Sequence, residues 1–317
     1  MKDGGEDMTG PVNREETGGR ADAAIAGACA GLISRFVIAP LDVLKIRLQL
    51  QSRLPEGPGA EVMGRRGIQS LVRQILADEG IRGFWKGNIP AELLYLMYGS
   101  IQFTSYRRSV QLLKTTCGDL PWNGNHFVAG GVAGAVATAC TYPLDLLRTR
   151  FAATGKVKVY DSILHSMKLI AQTEGVKGYY RGLGPALYQI IPHMGLFFGT
   201  YETLKNAMRR SNASSGWVEA TSGVVAGVVS KSGVYPLDTI RKRLQLQGHT
   251  RTRYAEPRIP VYTSAIDCAH KVIAADGLRG LYRGLSVSLF KAAPASAVTM
   301  STFEETMRFL SWRRSGR

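Results

Sequence analysis

Residues 236–245 read PLDTIRKRLQ, directly after the apolar stretch GVVAGVVSKSGVY. A proline, an acid and a run of bases interrupt what would otherwise continue as a hydrophobic helix. The chain contains the same phrase twice more, as PLDVLKIRLQ at residues 40–49 and PLDLLRTRFA at residues 143–152. The three prolines are 103 and 93 residues apart. A second phrase follows each: EGIRGFWKG from Glu79, EGVKGYYRG from Glu174 and DGLRGLYRG from Asp276. A glycine pair precedes each, 13 and 9 residues before the proline: Gly27 and Gly31, Gly130 and Gly134, Gly223 and Gly227. Three motifs in one order, three times, define a unit of roughly 100 residues, and such a period governs the fold before any local reading.

Each unit reads alike. An apolar segment (residues 23–39, 127–142 and 218–235) runs into the PLD phrase. With its amphipathic extension it can cross the ~30 Å hydrocarbon layer. The Gly-xxx-Gly spacing lets a neighbouring helix approach closely. A polar loop and a short amphipathic helix follow; in the second unit this helix is YDSILHSMKLIAQ, with Ile163, Met167 and Ile170 at helical spacing. The acid–glycine phrase suits a helix end. A second apolar segment (residues 89–106, 185–201 and 285–303) closes the unit. The predicted fold is an all-α membrane protein, with six transmembrane helices in three pseudo-threefold repeats of two, each with a short amphipathic helix. The predicted boundaries are a flexible polar tail over residues 1–20 and repeats over 21–116, 117–212 and 213–317.

The bulk composition agrees. The 317 residues carry 40 Lys+Arg against 24 Asp+Glu, a net charge of +16, which implies an anionic partner. A hydrophobic share of 45% with mean hydropathy −0.05 suits a polytopic protein with polar loops as well as it suits a soluble one. Cys29, Cys117, Cys140 and Cys268 form no CxxC pair and no metal spacing, so reduced structural thiols are expected, with no metal and no cofactor. The first 20 residues carry five acids, unlike a secretory signal or an Arg-rich transit peptide.

The PLD phrase has a physical use. Proline inside a helix removes one backbone hydrogen bond and bends the helix. The acid and the base three residues later lie on neighbouring parts of one face. Around a pseudo-threefold axis each helix offers an acid to one side and a base to the other. The expected pairs are Asp42 with Arg148, Asp145 with Arg241, and Asp238 with Lys45. Such a ring, at one end of a water-filled cavity, is a gate. Gln49 and Gln245 can brace a closed pair, and the matching position in the second repeat is Ala152.

The triplicated pattern P-x-D-x-x-[KR]-x-R followed by [DE]-G-x4-[WY]-[KR]-G resembles the mitochondrial carrier family, over residues 23–313. That resemblance implies six tilted transmembrane helices, three short matrix helices, a matrix gate made by the PLD pairs, alternating access and the mitochondrial inner membrane. It also implies a cytosolic gate of pattern [FY]-[DE]-x-x-[KR]. The second repeat fits with Tyr201, Glu202 and Lys205. The third offers Phe303 and Glu304 but Met307, and the first Tyr106, Arg107 and Val110, so this network is thin. In the family, solute contacts lie midway along helices two, four and six, which by position are Leu94, the pair Gln189–Ile190, and Lys291.

Ionisable groups at membrane depth are functional candidates. Arg35 and Lys231 each stand five residues before a PLD proline, and Lys291 and Glu92 lie within even-numbered spans. Three cations suit a polyphosphate, which Arg grips through parallel hydrogen bonds and Lys meets as a point charge. Glu92 fits either a cationic or donor ring on the solute or an internal partner for one of the cations. His193, one turn beyond Gln189, either shares the solute face or packs as a satisfied histidine. The resemblance extends through FWKGNIPAELLY, YGSIQFTSY, GLFFGTYE and SLFKAAPASAVTM, and the solute it implies is thiamine pyrophosphate. Expected partners are this small anionic solute and membrane lipid, with cardiolipin on the matrix side. A monomer is expected.

Three other readings compete. A carrier for coenzyme A or an adenine nucleotide would use the same three cations, with Leu94, Gln189 and Glu92 against it. A basic nucleic-acid-binding repeat protein needs a continuous basic face, whereas these bases lie in the PLD phrases and loops. An enzyme is not expected, since no GK[ST] phosphate loop, metal cluster or locally supported triad is present.

Overall fold

The computed structural model describes residues 14–51, 67–118, 124–157, 159–209, 215–255 and 259–315. The chain is helical in the order α1 (Arg14–Leu50), α2 (Ile68–Glu79), α3 (Asn88–Cys117), α4 (Gly124–Ala153), α5 (Ile163–Tyr179), α6 (Leu183–Tyr188), α7 (Ile190–Arg209), α8 (Ser215–Gln245), α9 (Ala265–Asp276), α10 (Leu278–Leu281), α11 (Leu285–Phe290) and α12 (Ala292–Ser315). Among the described residues there is one isolated β-bridge, Thr154 with Tyr254, and no sheet. Helix α1 starts at Arg14, so residues 14–20 of the stretch read as a flexible tail are helical. Residues 1–13 lie outside the described residues, as does the side chain of Cys117.

The helices α1, α4 and α8 continue through Pro40, Pro143 and Pro236. The second segments of repeats two and three each divide in two, at Gln189 and Lys291. Pro192 and Pro294 stand three residues further on, and each lacks the N–H that would bond the carbonyl four residues back. The matching residue of the first repeat is Met97, and α3 runs unbroken.

Two units make up the chain, Met1–Ile38 with Ala292–Arg317, and Ala39–Lys291. In the first, Ser34 Oγ donates to the Ala295 carbonyl at 3.1 Å and Arg314 pairs with Asp22. In the second, α3 packs along α4 and α7 along α8. The second unit also holds the main core, where the PLD helix ends meet the short helices through Val43, Leu50, Ile75, Leu246, Ile259 and Val272.

The short helices begin at Ser162 and Ser264, whose hydroxyls accept from His165 N and Asp267 N, both at 3.1 Å. Tyr160, read as the first residue of the amphipathic helix, instead precedes it. It is buried, with its hydroxyl 2.9 Å from Thr250 Oγ1 and 3.1 Å from Tyr254 Oη. Ile170 is buried and Met167 faces out. Helix α5 kinks at Gly175 (φ 65°), where a left-handed residue suits glycine. In α9, burial pushes the Cys268 thiol up to about 12, the mark of an inert structural thiol.

The glycine spacing holds in part: Gly31 and Gly134 are buried, and a Cβ at Gly130 would lie 3.5 Å from Met194. A Cβ added at Gly27, Gly223 or Gly227 would meet nothing within 4 Å. The buried seam lies one residue earlier, at Ala26, Ala30 and Ser34, at Ala129, Ala133 and Ala137, and at Ser222, Ala226 and Ser230. One residue is a rotation of about 100° on a helix, so the seam and the glycines occupy adjacent stripes. Large apolar side chains such as Phe36, Val224 and Ile191 point outward instead. Helical stretches Asp22–Leu50 and Asn125–Ala153 are long and apolar enough to cross a membrane.

A second charged layer joins the repeats. Arg47 bonds Glu79 through two nitrogens at 2.5 and 2.8 Å, and donates to the carbonyls of Ala152 and Thr154 at 3.1 and 2.7 Å. Arg150 does the same with Glu174 and the carbonyls of Gln245 and Gln247. Arg243 donates to the carbonyls of Gln49 and Gln51 at 3.0 and 2.8 Å and stands 3.9 Å from Asp276. Lys86, Arg181 and Arg283 supply each acid with another cation, at 2.6, 2.9 and 2.7 Å. Each PLD arginine thus caps the carbonyl end of the next repeat's long helix, where cations are favoured.

Burial alone would raise the Glu79 carboxyl, but hydrogen bonds and charge from Arg47 and Lys86 hold it below its ordinary 4.5. Its charge therefore stabilises the fold above pH 4.5 and that contribution is lost as pH falls below it. Glu79→Gln should cost roughly 1–3 kcal/mol at neutral pH, and the gap in unfolding temperature between variant and wild type should close in acid. A gap that is constant with pH would contradict this. On the seam, Ala226→Leu should destabilise by about 1–3 kcal/mol through overpacking, while Gly227→Ala should be neutral or stabilising. Equal losses in a thermal unfolding assay would refute the one-residue offset.

Candidate functional site

The PLD residues come together in the Ala39–Lys291 unit as a closed ring. Arg148 Nη2 donates to Asp42 Oδ2. Arg241 Nη2 donates to Asp145 Oδ2 at 2.9 Å, and Lys45 Nζ to Asp238 Oδ2 at 2.6 Å. The six side chains are 8–15% exposed. Such burial strips most water from each charge, and a dehydrated carboxylate needs counter-charge and hydrogen bonds.

Each carboxylate meets a second cation. Lys242 Nζ donates to Asp145 at 3.0 and 3.2 Å. Lys291 Nζ donates to Asp42 Oδ1 at 2.5 Å. Lys231 Nζ stands 3.7 Å from Asp238 Oδ2. The two lysines read as solute ligands in the spans thus lie at the ring. Lys242 was missed by sequence reasoning: it follows the motif base by one residue, where the other repeats have Ile46 and Thr149, so no repeat signal marks it.

The glutamines act on two of the pairs. Gln49 Nε2 donates to Asp238 Oδ2 at 3.3 Å, and Gln245 Nε2 to Asp145 Oδ2 at 2.5 Å. Thr149 Oγ1 and Lys242 Nζ donate to Gln245 Oε1 at 2.6 and 3.1 Å. Tyrosines before the proline back the same two pairs. Lys45 lies over the Tyr235 ring at 5.5 Å and Arg241 over the Tyr142 ring at 5.2 Å. Their hydroxyls donate to the carbonyls of Arg283 and Arg181 at 2.9 and 2.8 Å.

The pair Asp42–Arg148 has alanines at both supporting positions, Ala39 and Ala152. A small hollow lies beside it, lined by Ala39, Asp42, Gly87, Asn88, Arg148 and Ala152. Gly87 is left-handed (φ 85°), and a Cβ there would lie 2.6 Å from the Arg148 carbonyl. The second phrase therefore ends in glycine so that its turn can press against the ring helix.

The remaining candidates spread over the even-numbered segments. Glu92 is half-buried on α3 and accepts from Asn88 Nδ2 at 3.3 Å. Leu94, one of the expected midway contacts, is half-buried on the same helix. Gln189, at the α6–α7 break, has a buried Oε1 that makes no hydrogen bond among the described residues. Ile190 is half-buried at the start of α7, and His193 is exposed near Lys231 and the Ser230 main chain. Arg35 is half-buried on α1, in the other unit.

The second network differs from the ring. Among the described residues no ion pair joins Glu202, Lys205 or Glu304, and Lys205 lies over the Tyr201 ring at 5.3 Å. Tyr106 Oη instead meets His126 Nδ1 at 2.8 Å. One set of charges is closed, and the other unpaired.

Comparison with known proteins follows the same lines. The mitochondrial carrier protein family matches residues 19–116, 121–212 and 212–314. Among curated relatives, the mitochondrial thiamine pyrophosphate carrier 1 of Phaeosphaeria nodorum is 54% identical over 306 residues, which cover 94% of this chain and 95% of its own. Proteins of the same name from Sclerotinia sclerotiorum and Neurospora crassa are each 50% identical over 95% of this chain, covering 96% and 95% of their own. With three matched repeats and relatives of this identity over nearly its full length, the chain belongs to the mitochondrial carrier family and is a multi-pass protein of the mitochondrial inner membrane.

Proposed function

We propose that this chain carries thiamine pyrophosphate across the inner membrane by alternating access, in exchange for another phosphorylated solute. The observation that carries the reading is the charge surplus at the ring: six cationic side chains reach three carboxylates. An anionic solute arriving there meets cations already stripped of water, with the balance of positive charge its phosphates require. Lys231 and Lys291 are the more exposed of the added cations, at 33% and 26%, and serve as the diphosphate ligands. Arg35, at the same offset from its proline as Lys231, is the third candidate ligand by its sequence position alone. Glu92 and the Gln189 carbonyl oxygen are acceptors for the aminopyrimidine and the cationic thiazolium, with Leu94, Ile190 and His193 shaping the same contact level. The names of the relatives support this choice of diphosphate.

In this reading the PLD ring is the matrix gate, with Gln49 and Gln245 as braces, and it is closed in the conformation described. Glu202, Lys205 and Glu304 are read as a thin cytosolic gate. Membrane lipid, cardiolipin included, contacts the matrix side, and the carrier works as a monomer.

The test is uptake of labelled thiamine pyrophosphate into liposomes carrying the purified chain, preloaded in turn with thiamine pyrophosphate, thiamine monophosphate, ADP or nothing. Saturable uptake that depends on the preload is expected. Robust ADP or coenzyme A exchange without thiamine pyrophosphate uptake would keep the gate and overturn the solute. For the gate, Asp238→Lys or Lys45→Asp alone should abolish transport, because each leaves like charges together in a dehydrated site, a loss of roughly 3–5 kcal/mol. The double variant should recover part of the rate, short of wild type because Lys231 then faces a lysine. A double variant no better than either single would disprove the pairing.

A further inference from the structure

The three pairs of the ring are not equivalent, and the difference points to the order in which they open. Asp145 is held by Arg241, Lys242 and Gln245, and Asp238 by Lys45 and Gln49, with Tyr142 and Tyr235 behind them. At Asp42 the matching glutamine and tyrosine positions are Ala152 and Ala39, and a hollow occupies the space. Lys291 reaches this carboxylate instead, at 2.5 Å.

The three added cations differ in how firmly they are held. Lys242 is 9% exposed and also bonds Thr149 and Gln245, so a solute cannot draw it away. Lys231 is too far from Asp238 for a hydrogen bond. Lys291 is hydrogen-bonded to Asp42 and 26% exposed. It sits where Pro294 divides the helix, on a long stem that can swing its ammonium to a second anion.

We propose that Lys291 is a removable brace for the Asp42–Arg148 pair, and that the solute's diphosphate, by taking Lys291, unlocks that pair before the other two. The proposal rests on the reading of the chain as a carrier of a diphosphate. A diphosphate competes well for an ammonium because it offers several charged oxygens. When Lys291 leaves, no glutamine or tyrosine stands at the positions that support the other pairs. Part of the solute's binding free energy is thereby used to loosen one third of the gate.

The test compares full-length wild type, Asp42→Asn and Ala152→Gln. Calorimetric titration with thiamine pyrophosphate and with inorganic pyrophosphate is paired with turnover in liposomes. Asparagine at 42 removes the competitor for Lys291, so both ligands should bind about tenfold more tightly, although transport falls because the ring has lost a charge pair. Glutamine at 152 supplies a brace the solute cannot remove. Binding should be retained and turnover at saturating solute should drop severalfold. Unchanged or weaker binding by folded Asp42→Asn overturns the proposal. If that variant does not fold, wild-type turnover in Ala152→Gln overturns it. Wild type that binds pyrophosphate but not thiamine pyrophosphate, with tightening in Asp42→Asn, would remove the proposed solute and support the brace. Wild type that binds neither overturns both.

Discussion

Asp42, Asp145 and Asp238 are carboxylates held almost entirely out of water, and the need to compensate each of them organises the structure around them. A lone buried carboxylate is intolerable, whereas one shared between a base of the next repeat and a second cation is stable yet reversible. Because each acid is answered by a base from a different repeat, the three helices α1, α4 and α8 must meet at one level. The prolines, the tyrosines behind them and the left-handed glycine turns serve that meeting; a Cβ at Gly87 would lie 2.6 Å from the Arg148 carbonyl, and one at Gly182 3.0 Å from the Arg241 carbonyl.

The second charged layer joins the repeats by bonds of a different kind. Arg47 and Arg150 bond both an acid of their own repeat and the terminal carbonyls of another repeat's long helix, and Arg243 bonds such carbonyls while standing 3.9 Å from Asp276. Main-chain carbonyls at a helix end have no competing partner in the helix, so these bonds are not offered to a solute. One layer therefore joins the repeats through backbone carbonyls and the other through side chains alone.

The ring pairs were legible because a repeated motif with an acid and a base three apart leaves few ways to close on itself. The arginine layer was written equally plainly, in Arg47, Arg150 and Arg243 and in Glu79, Glu174 and Asp276. Its partners were not, because spacing does not say whether a long guanidinium turns to its own repeat, to the next, or to both. The continuous buried row runs one residue before the motif glycines, through alanines and serines, while of the glycines themselves Gly31 and Gly134 are also buried.

By itself, the sequence determined the three repeats, the all-α architecture and the acid–base pairs, since these follow from periodicity and from charges too costly to leave alone in a membrane. Only the tertiary structure decided which cation completes which pair. Lys242 and Lys291 have no basic residue at the matching positions of the other repeats, and Lys231 has one only in Arg35; the reach of a lysine stem, together with the helix break at Pro294, selects the carboxylate each can touch. That asymmetry is invisible to a repeat pattern because it arises from the departures from the pattern, Ala39 and Ala152 among them, whose consequence is a space that only folding creates.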